Sequence, residues 1–420
     1  MLLFARGSPT TALSTSDLKA GVLSVLEALG PRSRVLVLPP DITRFHSRAG
    51  ELTRYVWERL GDRVAAILPA LGTHAAMRGD EIQRMFVNIP PSLFRVHDFR
   101  HDAITVGTIA DDTVAGFTGN RCRFEWPAQV NRLLVDGGFD CILSIGQVVP
   151  HEVAGMANHA KNIFVGTGGA AGINGSHFIG ALCGMERIMG RADTPVRRLF
   201  DHAGRAFIPN APITYLLTVI DTDGTTVRGL FAGPDRECFE RAAALSQSVN
   251  ITLLDRPVRK AVVYLDPQEY RSAWLGNKAI YRTRMALADA GELIVLAPGV
   301  CRFGEDPAID RFIRAYGYCG TPAVMRAVAA DPALADNLGA AAHLIHGSGE
   351  GRFTVTYCPG ALTKAEIEGV HFHYGELDTM AGRYDPARLS AGWNVMPDGE
   401  EIFYIPNPAL GLWAERSKFR

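Results

Sequence analysis

The sequence predicts an α/β protein of two domains, each with a mainly parallel sheet flanked by helices, and an active site in the cleft between them. Three observations carry this expectation. Short apolar runs without polar alternation occur at 34–38 (RVLVL), 64–71 (VAAILPAL) and 141–145 (CILSI), the pattern of strands buried on both faces. Each run ends in a Pro- or Gly-containing break followed by polar residues. Stretches with apolar residues at helical spacing alternate with them, which is the signature of parallel β-α-β construction.

The 420 residues are 47% hydrophobic and 21% charged, an ordinary globular composition long enough for two domains. The expected division is 1–256, 257–395, and a tail, 396–420, that returns to the N-terminal domain. A net charge of −1 with scattered arginines excludes a nucleic-acid footprint. No run approaches the length of a membrane span, and the apolar start of the chain is too short for a signal peptide. Seven widely spaced cysteines without a CxxC pair point to reduced thiols, so a cytoplasmic location is expected.

In order along the chain, Ser16 and Asp17 can cap a helix to about residue 29, with Leu18, Val22, Val25 and Leu26 on one face. The strand at 34–38 follows, then helix at 50–60, strand at 64–71 and helix at 78–86. Residues 113–117 and 122–125 suggest a β excursion, and 127–137 reads as helix. His97 and His101 lie among charges and read as solvated. After the strand at 141–145, helix is expected at 181–189. A hairpin spans 213–220 and 227–232 around Asp221-Thr222-Asp223-Gly224, and helix follows at 236–246. The second half offers strands at 260–265, 293–297, 353–358 and 401–405, with a long helix at 271–290 and shorter helices at 308–315, 322–329 and 332–345.

Parallel sheets place ligands at the carboxyl ends of their strands. The first run delivers Asp41, Thr43 and Arg44, the second Thr73 and His74, the third His151. Asp41 is also a fitting cap for the next helix. The segment 139–180 adds His159, Lys161, a glycine turn (Gly166, Gly168, Gly169, Gly172) and His177, so three histidines and one lysine fall within 27 positions. Imidazoles suit proton transfer and metal ligation, and glycines let backbone N–H groups approach a phosphate.

These residues resemble the lactate racemase family that uses a nickel-pincer nucleotide. Asp41-Ile42-Thr43-Arg44 is similar to that family's D-x-T-R segment. Gly72-Thr73-His74 resembles its strand-end histidine, and His151, Lys161 and His177 its H-x9-K-x15-H pattern. Lys278 resembles its substrate-side lysine. The resemblance implies a racemase or epimerase that inverts C2 of a 2-hydroxy acid by reversible hydride transfer to the cofactor. His74 and His151 serve as acid/bases, both titrating near the working pH. Arg44 binds the carboxylate, Asp41 supports a base, and Lys278 contacts the substrate. It further implies that Lys161 holds the nucleotide covalently, that His177 ligates nickel in a square plane, and that Thr43, Thr73, Gly168 and Gly169 receive the phosphate. Separate biosynthetic enzymes would supply the cofactor; a small 2-hydroxy acid is the expected partner, with no nucleic acid or membrane, and a homo-oligomer is compatible with this reading.

The chain departs from family members that act on lactate. Their glycine-rich stretch before the lysine is here 155–160 (GMANHA), and the amide three positions before Lys278 is here Leu275. With Arg302, Glu305 and Asp306 in a polar loop, these departures suggest a larger substrate such as an aldonic sugar acid; lactate is the alternative. Three other readings compete. A nicotinamide-dependent dehydrogenase lacks its GxGxxG turn after the first strand. A nickel or nucleotide carrier needs Lys161 and His177 but not His74 or Arg44. A zinc hydrolase needs His74, His151 and His177 on one metal.

Overall fold

The computed structural model describes residues 2–419. The chain forms two compact units, residues 1–183 with 187–250, and 184–186 with 251–420.

The first unit is built on a six-stranded sheet: β1 (Phe4–Gly7), β2 (Val35–Leu38), β3 (Val64–Ile67), β4 (Cys141–Gln147), β5 (Ile213–Ile220) and β6 (Val227–Gly233), in the order β1-β6-β5-β4-β2-β3. The pairs β3–β2, β2–β4 and β4–β5 are parallel, with Val37 opposite both Ile67 and Leu143. The hairpin β5–β6 and the pair β6–β1 are antiparallel. Helix α1 (Thr15–Leu29) begins at Ser14, whose side chain accepts from Asp17 N–H while the Asp17 carboxylate accepts from Ser14 N–H. This reciprocal cap satisfies two otherwise orphaned donors and starts the helix slightly ahead of the expected Ser16-Asp17. Leu18, Val22 and Val25 of α1 and Leu52 and Val56 of α2 (Ala49–Leu60) share one core with Val35, Val37, Leu143 and Ile145. The remaining helices of this unit that matter for the site are α3 (Ala170–Cys183), α4 (Pro195–Phe207) and α5 (Arg236–Asn250).

The second unit has a six-stranded sheet of β7 (Val258–Tyr264), β8 (Leu287–Ala297), β9 (Phe353–Pro359), β10 (His373–Tyr374), β11 (Gly392–Val395) and β12 (Glu401–Ile405), in the order β10-β9-β8-β7-β12-β11. Only β11–β12 is antiparallel. Both sheets are thus mainly parallel, as predicted. Among the described residues no helix is long and apolar enough to cross a membrane.

Several expectations need correction. The tail does not return to the first unit: β12 pairs with β7, and Leu412–Glu415 pairs with Ile251–Leu254, all within the second unit. Within 127–137 only Leu133–Asp136 is helical; Trp126–Asn131 is a strand paired with Ala103–Ile109, because Trp126, Ala128 and Val130 alternate inward at period two. Residues 113–117 belong instead to the helix Asp111–Thr118. The long helix at 271–290 is broken into Ala273–Gly276 and Lys278–Thr283, and β8 begins at Leu287. Gly276 is held where a Cβ would lie 2.5 Å from the Tyr357 hydroxyl, so close packing, not helical continuity, sets this stretch.

Leu143 is fully buried at the centre of the first core. Leu143→Ala should lower unfolding free energy by about 2–5 kcal/mol, the usual range for such a cavity, measured by denaturant titration followed by circular dichroism.

Candidate active site

Strand β2 ends at Leu38, and Pro39-Pro40 prevents its continuation. Asp41 then caps a short 3₁₀ turn: its Oδ1 accepts from Thr43 N–H at 3.1 Å and from the Thr43 hydroxyl at 2.5 Å. Its Oδ2 lies 2.6 Å from His74 Nδ1. Asp41 therefore both caps and supports a histidine. Burial pushes its carboxyl up, but the His74 contact, the Thr43 bonds and the Arg44 charge outweigh that and hold it below the usual range. As a carboxylate it only accepts, so His74 Nδ1 carries the proton and Nε2 presents its lone pair. Arg44 is half-buried, and its guanidinium makes no hydrogen bond or ion pair among the described residues.

His74 stands on a turn after β3. Gly72 there has a left-handed φ of 57°, and its N–H donates to the Gly166 carbonyl at 2.8 Å. This bond ties the His74 turn to the segment that carries Lys161. Thr73 is exposed beside it.

From the end of β4 the chain forms a small two-stranded turn, Pro150–His151 against Gly155–Met156. His151 is buried, and its Nδ1 accepts from Val153 N–H at 3.1 Å. A backbone N–H can only donate, so this ring carries its proton on Nε2, the opposite tautomer to His74. Burial holds the His151 imidazole well below its usual pKa. Lys161, Arg44 and His177 push the same way, and Glu152, with its carboxylate 3.9 Å from Nδ1, opposes them. The expectation that both bases titrate near the working pH does not hold for His151.

Lys161 opens a π-helical turn, Asn162–Gly166. Asn162 Nδ2 donates to Ser144 Oγ at 2.9 Å and to the Leu38 carbonyl at 3.4 Å, fixing this turn to the middle of β4 and the end of β2. Burial, then the Arg44 charge, lowers the Lys161 ammonium to about 8. Just before it, Asn158 and His159 both adopt left-handed φ, 64° and 57°, where most side chains are disfavoured. Arg197 of α4 secures this strained pair by donating to the carbonyls of Asn158 at 3.0 Å and Met156 at 2.5 Å. His177, on α3, donates Nδ1–H to the Ile173 carbonyl at 2.7 Å, which leaves the Nε2 lone pair for a ligand; burial lowers its pKa.

The glycine turn is committed to the protein itself. The N–H groups of Gly168, Ala170 and Gly172 donate to Val165 O, Phe99 O and Gln129 Oε1. A Cβ at Gly168 would sit 2.1 Å from the Phe164 carbonyl, and one at Gly169 2.5 Å from Gln129 Oε1. These glycines serve close packing, and the N–H groups of Gly168 and Gly172 are already engaged by the protein. Thr43 likewise directs its hydroxyl to Asp41.

His97, expected in solvent, is buried; its Nε2–H donates to the Gly168 carbonyl and its Nδ1 accepts from Asn131 Nδ2, each at 3.0 Å. Of the two, His101 alone is exposed, paired with Asp98. His159 also faces the interior, its ring centroid 4.1 Å from Tyr215 and 5.2 Å from Phe239. In the second unit Lys278 Nζ lies 5.8 Å from the Tyr270 ring centroid. Arg302 pairs with Glu305, which also accepts from the Ser272 hydroxyl. The polar groups offered for a larger substrate are therefore largely satisfied within the protein.

Sequence reasoning passed over Gln147, the last residue of β4. It is buried, its Oε1 accepts from His46 Nε2–H at 2.9 Å, and its amide Nε2 makes no hydrogen bond among the described residues. A polar residue closing an otherwise apolar strand was the available signal.

The donor set suits a nickel-pincer nucleotide. His177 offers one lone pair, and Lys161 an amine poised to deprotonate close to neutrality. No group of three or more His, Cys, Asp or Glu side chains among the described residues could hold a metal, so His74, His151 and His177 do not form a zinc site.

Residues 20–188 match the lactate racemase N-terminal domain. A crystal structure of a protein from Thermotoga maritima is similar to the chain at 25% identity and a TM-score of 0.80, covering 96% of this chain and 99% of that one. The lactate racemase apoprotein from Thermoanaerobacterium thermosaccharolyticum shares the fold at 16% identity and a TM-score of 0.73, over 98% of this chain and 94% of its own. No curated protein matches the chain in sequence. Fold and site together define a two-unit α/β protein built on a lactate racemase N-terminal domain. The match covers residues 20–188 of the 420, so the likeness to this family is carried by the N-terminal part of the chain.

The lowered Lys161 pKa has a thermodynamic consequence. The unfolded lysine titrates near its ordinary value, so between pH 8 and that value the unfolded state binds more protons, and stability rises with pH. Lys161→Met should raise the melting temperature of the cofactor-free protein at pH 7 and flatten its rise between pH 8 and 10, read by differential scanning calorimetry.

Proposed function

We propose that this protein inverts C2 of a 2-hydroxy acid. The observation that carries the reading is the Asp41–His74 contact of 2.6 Å, which leaves the Nε2 lone pair of His74 open and ties its turn after β3 to the end of β2, where the uncommitted Arg44 follows. Arg44 binds the substrate carboxylate through its planar fork of donors. His74 accepts the hydroxyl proton at Nε2, and Asp41 stabilises the imidazolium that forms. His151 faces the same chemistry from the third strand end. Lys161 holds the nickel-pincer nucleotide, and His177 supplies its protein ligand through Nε2. When bound, that group supplies an acceptor that takes up and returns the C2 hydrogen with its electron pair.

A substrate larger than lactate keeps one support, Leu275 in place of an amide. A carrier role is disfavoured because it gives Arg44 and the Asp41–His74 pair no task.

Holoprotein prepared with the nucleotide-making enzymes should contain about one nickel per active chain, and protein made without them should be inactive. His74→Ala should lower turnover by about 10²-fold or more with nickel content unchanged. The assay is chiral separation of the C2 epimers after incubation with lactate, malate, gluconate and mannonate. Full activity of metal-free protein would refute the cofactor assignment, and no turnover of any 2-hydroxy acid would favour the carrier. Lactate turned over as fast as the sugar acids would refute the larger substrate.

A further inference from the structure

The two strand-end histidines are not chemically equivalent. His74 Nδ1 faces a carboxylate at 2.6 Å, whereas His151 Nδ1 faces the Val153 N–H at 3.1 Å. A second backbone donor, Ala154 N–H, lies 3.5 Å from the same His151 nitrogen. The difference decides what each ring can do. Protonating His74 at Nε2 gives an imidazolium whose Nδ1–H already points at an anion. A proton can reach His151 only at Nδ1, since Nε2 already holds one, and there it would meet backbone N–H groups head-on. The turn Pro150–His151 with Gly155–Met156 holds those N–H groups in place. A Cβ at Gly155, whose φ is 83°, would lie 2.1 Å from the Arg191 carbonyl, so the turn cannot readily shift.

Resting on the racemase reading above, we infer that His74 alone exchanges a proton with the substrate, and that His151 is a fixed Nε2–H donor that hydrogen-bonds substrate oxygen without titrating. One proton moves: the O–H bond of the substrate breaks as the His74 Nε2–H bond forms, and the reverse returns it. With one acceptor, inversion requires the planar 2-keto acid to turn under His74, not to be passed between two bases. The surroundings agree with a neutral His151. Lys161, Arg44 and His177 all oppose a positive charge on it, and only Glu152 favours one. His177 differs again, with its Nδ1–H spent on the Ile173 carbonyl.

Two measurements test this. In cofactor-free protein carrying ¹⁵N-histidine, long-range ¹H–¹⁵N correlation at pH 7 should show His151 protonated on Nε2 only and His74 on Nδ1, with assignments from the single variants. In holoprotein, His151→Gln keeps a side-chain N–H donor but no titratable nitrogen. It should retain turnover within about tenfold of wild type, while His74→Gln loses about 10²-fold or more and His151→Ala falls well below His151→Gln. Nickel content and melting temperature of each variant verify loading and folding. A His151 imidazolium or Nδ1–H tautomer would overturn the inference, as would a His151→Gln loss equal to that of His74→Gln in loaded, folded protein. If wild-type holoprotein turned over no 2-hydroxy acid, the racemase reading would fail while the spectrum still decided the tautomers.

Discussion

What faces Nδ1 of each imidazole governs this site. A histidine offers one donor and one acceptor when neutral, so the partner of one nitrogen dictates the state of the other. Asp41 leaves His74 a lone pair at Nε2. The Ile173 carbonyl leaves His177 a lone pair at Nε2. The Val153 N–H makes His151 a donor at Nε2. One residue type is thus held in three different settings by three pieces of local structure: a capped 3₁₀ turn, one turn of α3, and a tight β turn. The fold matters to function because it holds these three partners still.

The parallel order of β3, β2 and β4 brings the segments that carry His74, Asp41 with Arg44, and His151 to the same end of one sheet. Asn162 then binds the end of β2 and the middle of β4 to the turn that presents Lys161, and Gly72 binds the His74 turn to Gly166. Burial within this frame lowers the lysine pKa to about 8. A surface lysine at the same sequence spacing would remain charged and unreactive near neutrality. Arg197 and the left-handed Asn158 and His159 show what this placement costs: backbone strain of about 1–3 kcal/mol per residue, offset by a buried guanidinium bonded to two carbonyls.

Much of this was legible in the sequence. The runs RVLVL and CILSI could only be doubly buried strands, and strand-end logic then located Asp41, Arg44, His74 and His151. What could not be read follows from tertiary packing. Trp126, Ala128 and Val130 form a strand only because Ala103–Ile109 pairs beside them. The glycines at 168–172 look like a phosphate loop until the Val165 carbonyl and Gln129 take the N–H groups of Gly168 and Gly172. His97 sits among charged neighbours in sequence but is drawn inward by Gly168 and Asn131. Histidine tautomers are invisible to sequence altogether, because they depend on which backbone atom a turn happens to aim.

The central claim is that the loaded protein inverts C2 with proton transfer confined to substrate oxygen. A single enantiomer of a 2-hydroxy acid carrying deuterium at C2, incubated with holoprotein in ordinary water, tests this most directly. Chiral separation with mass spectrometry should show the inverted enantiomer with its deuterium retained, since the chain provides His74 for the hydroxyl proton and no acceptor is needed for a proton from carbon. Inversion accompanied by loss of deuterium to water would contradict the account.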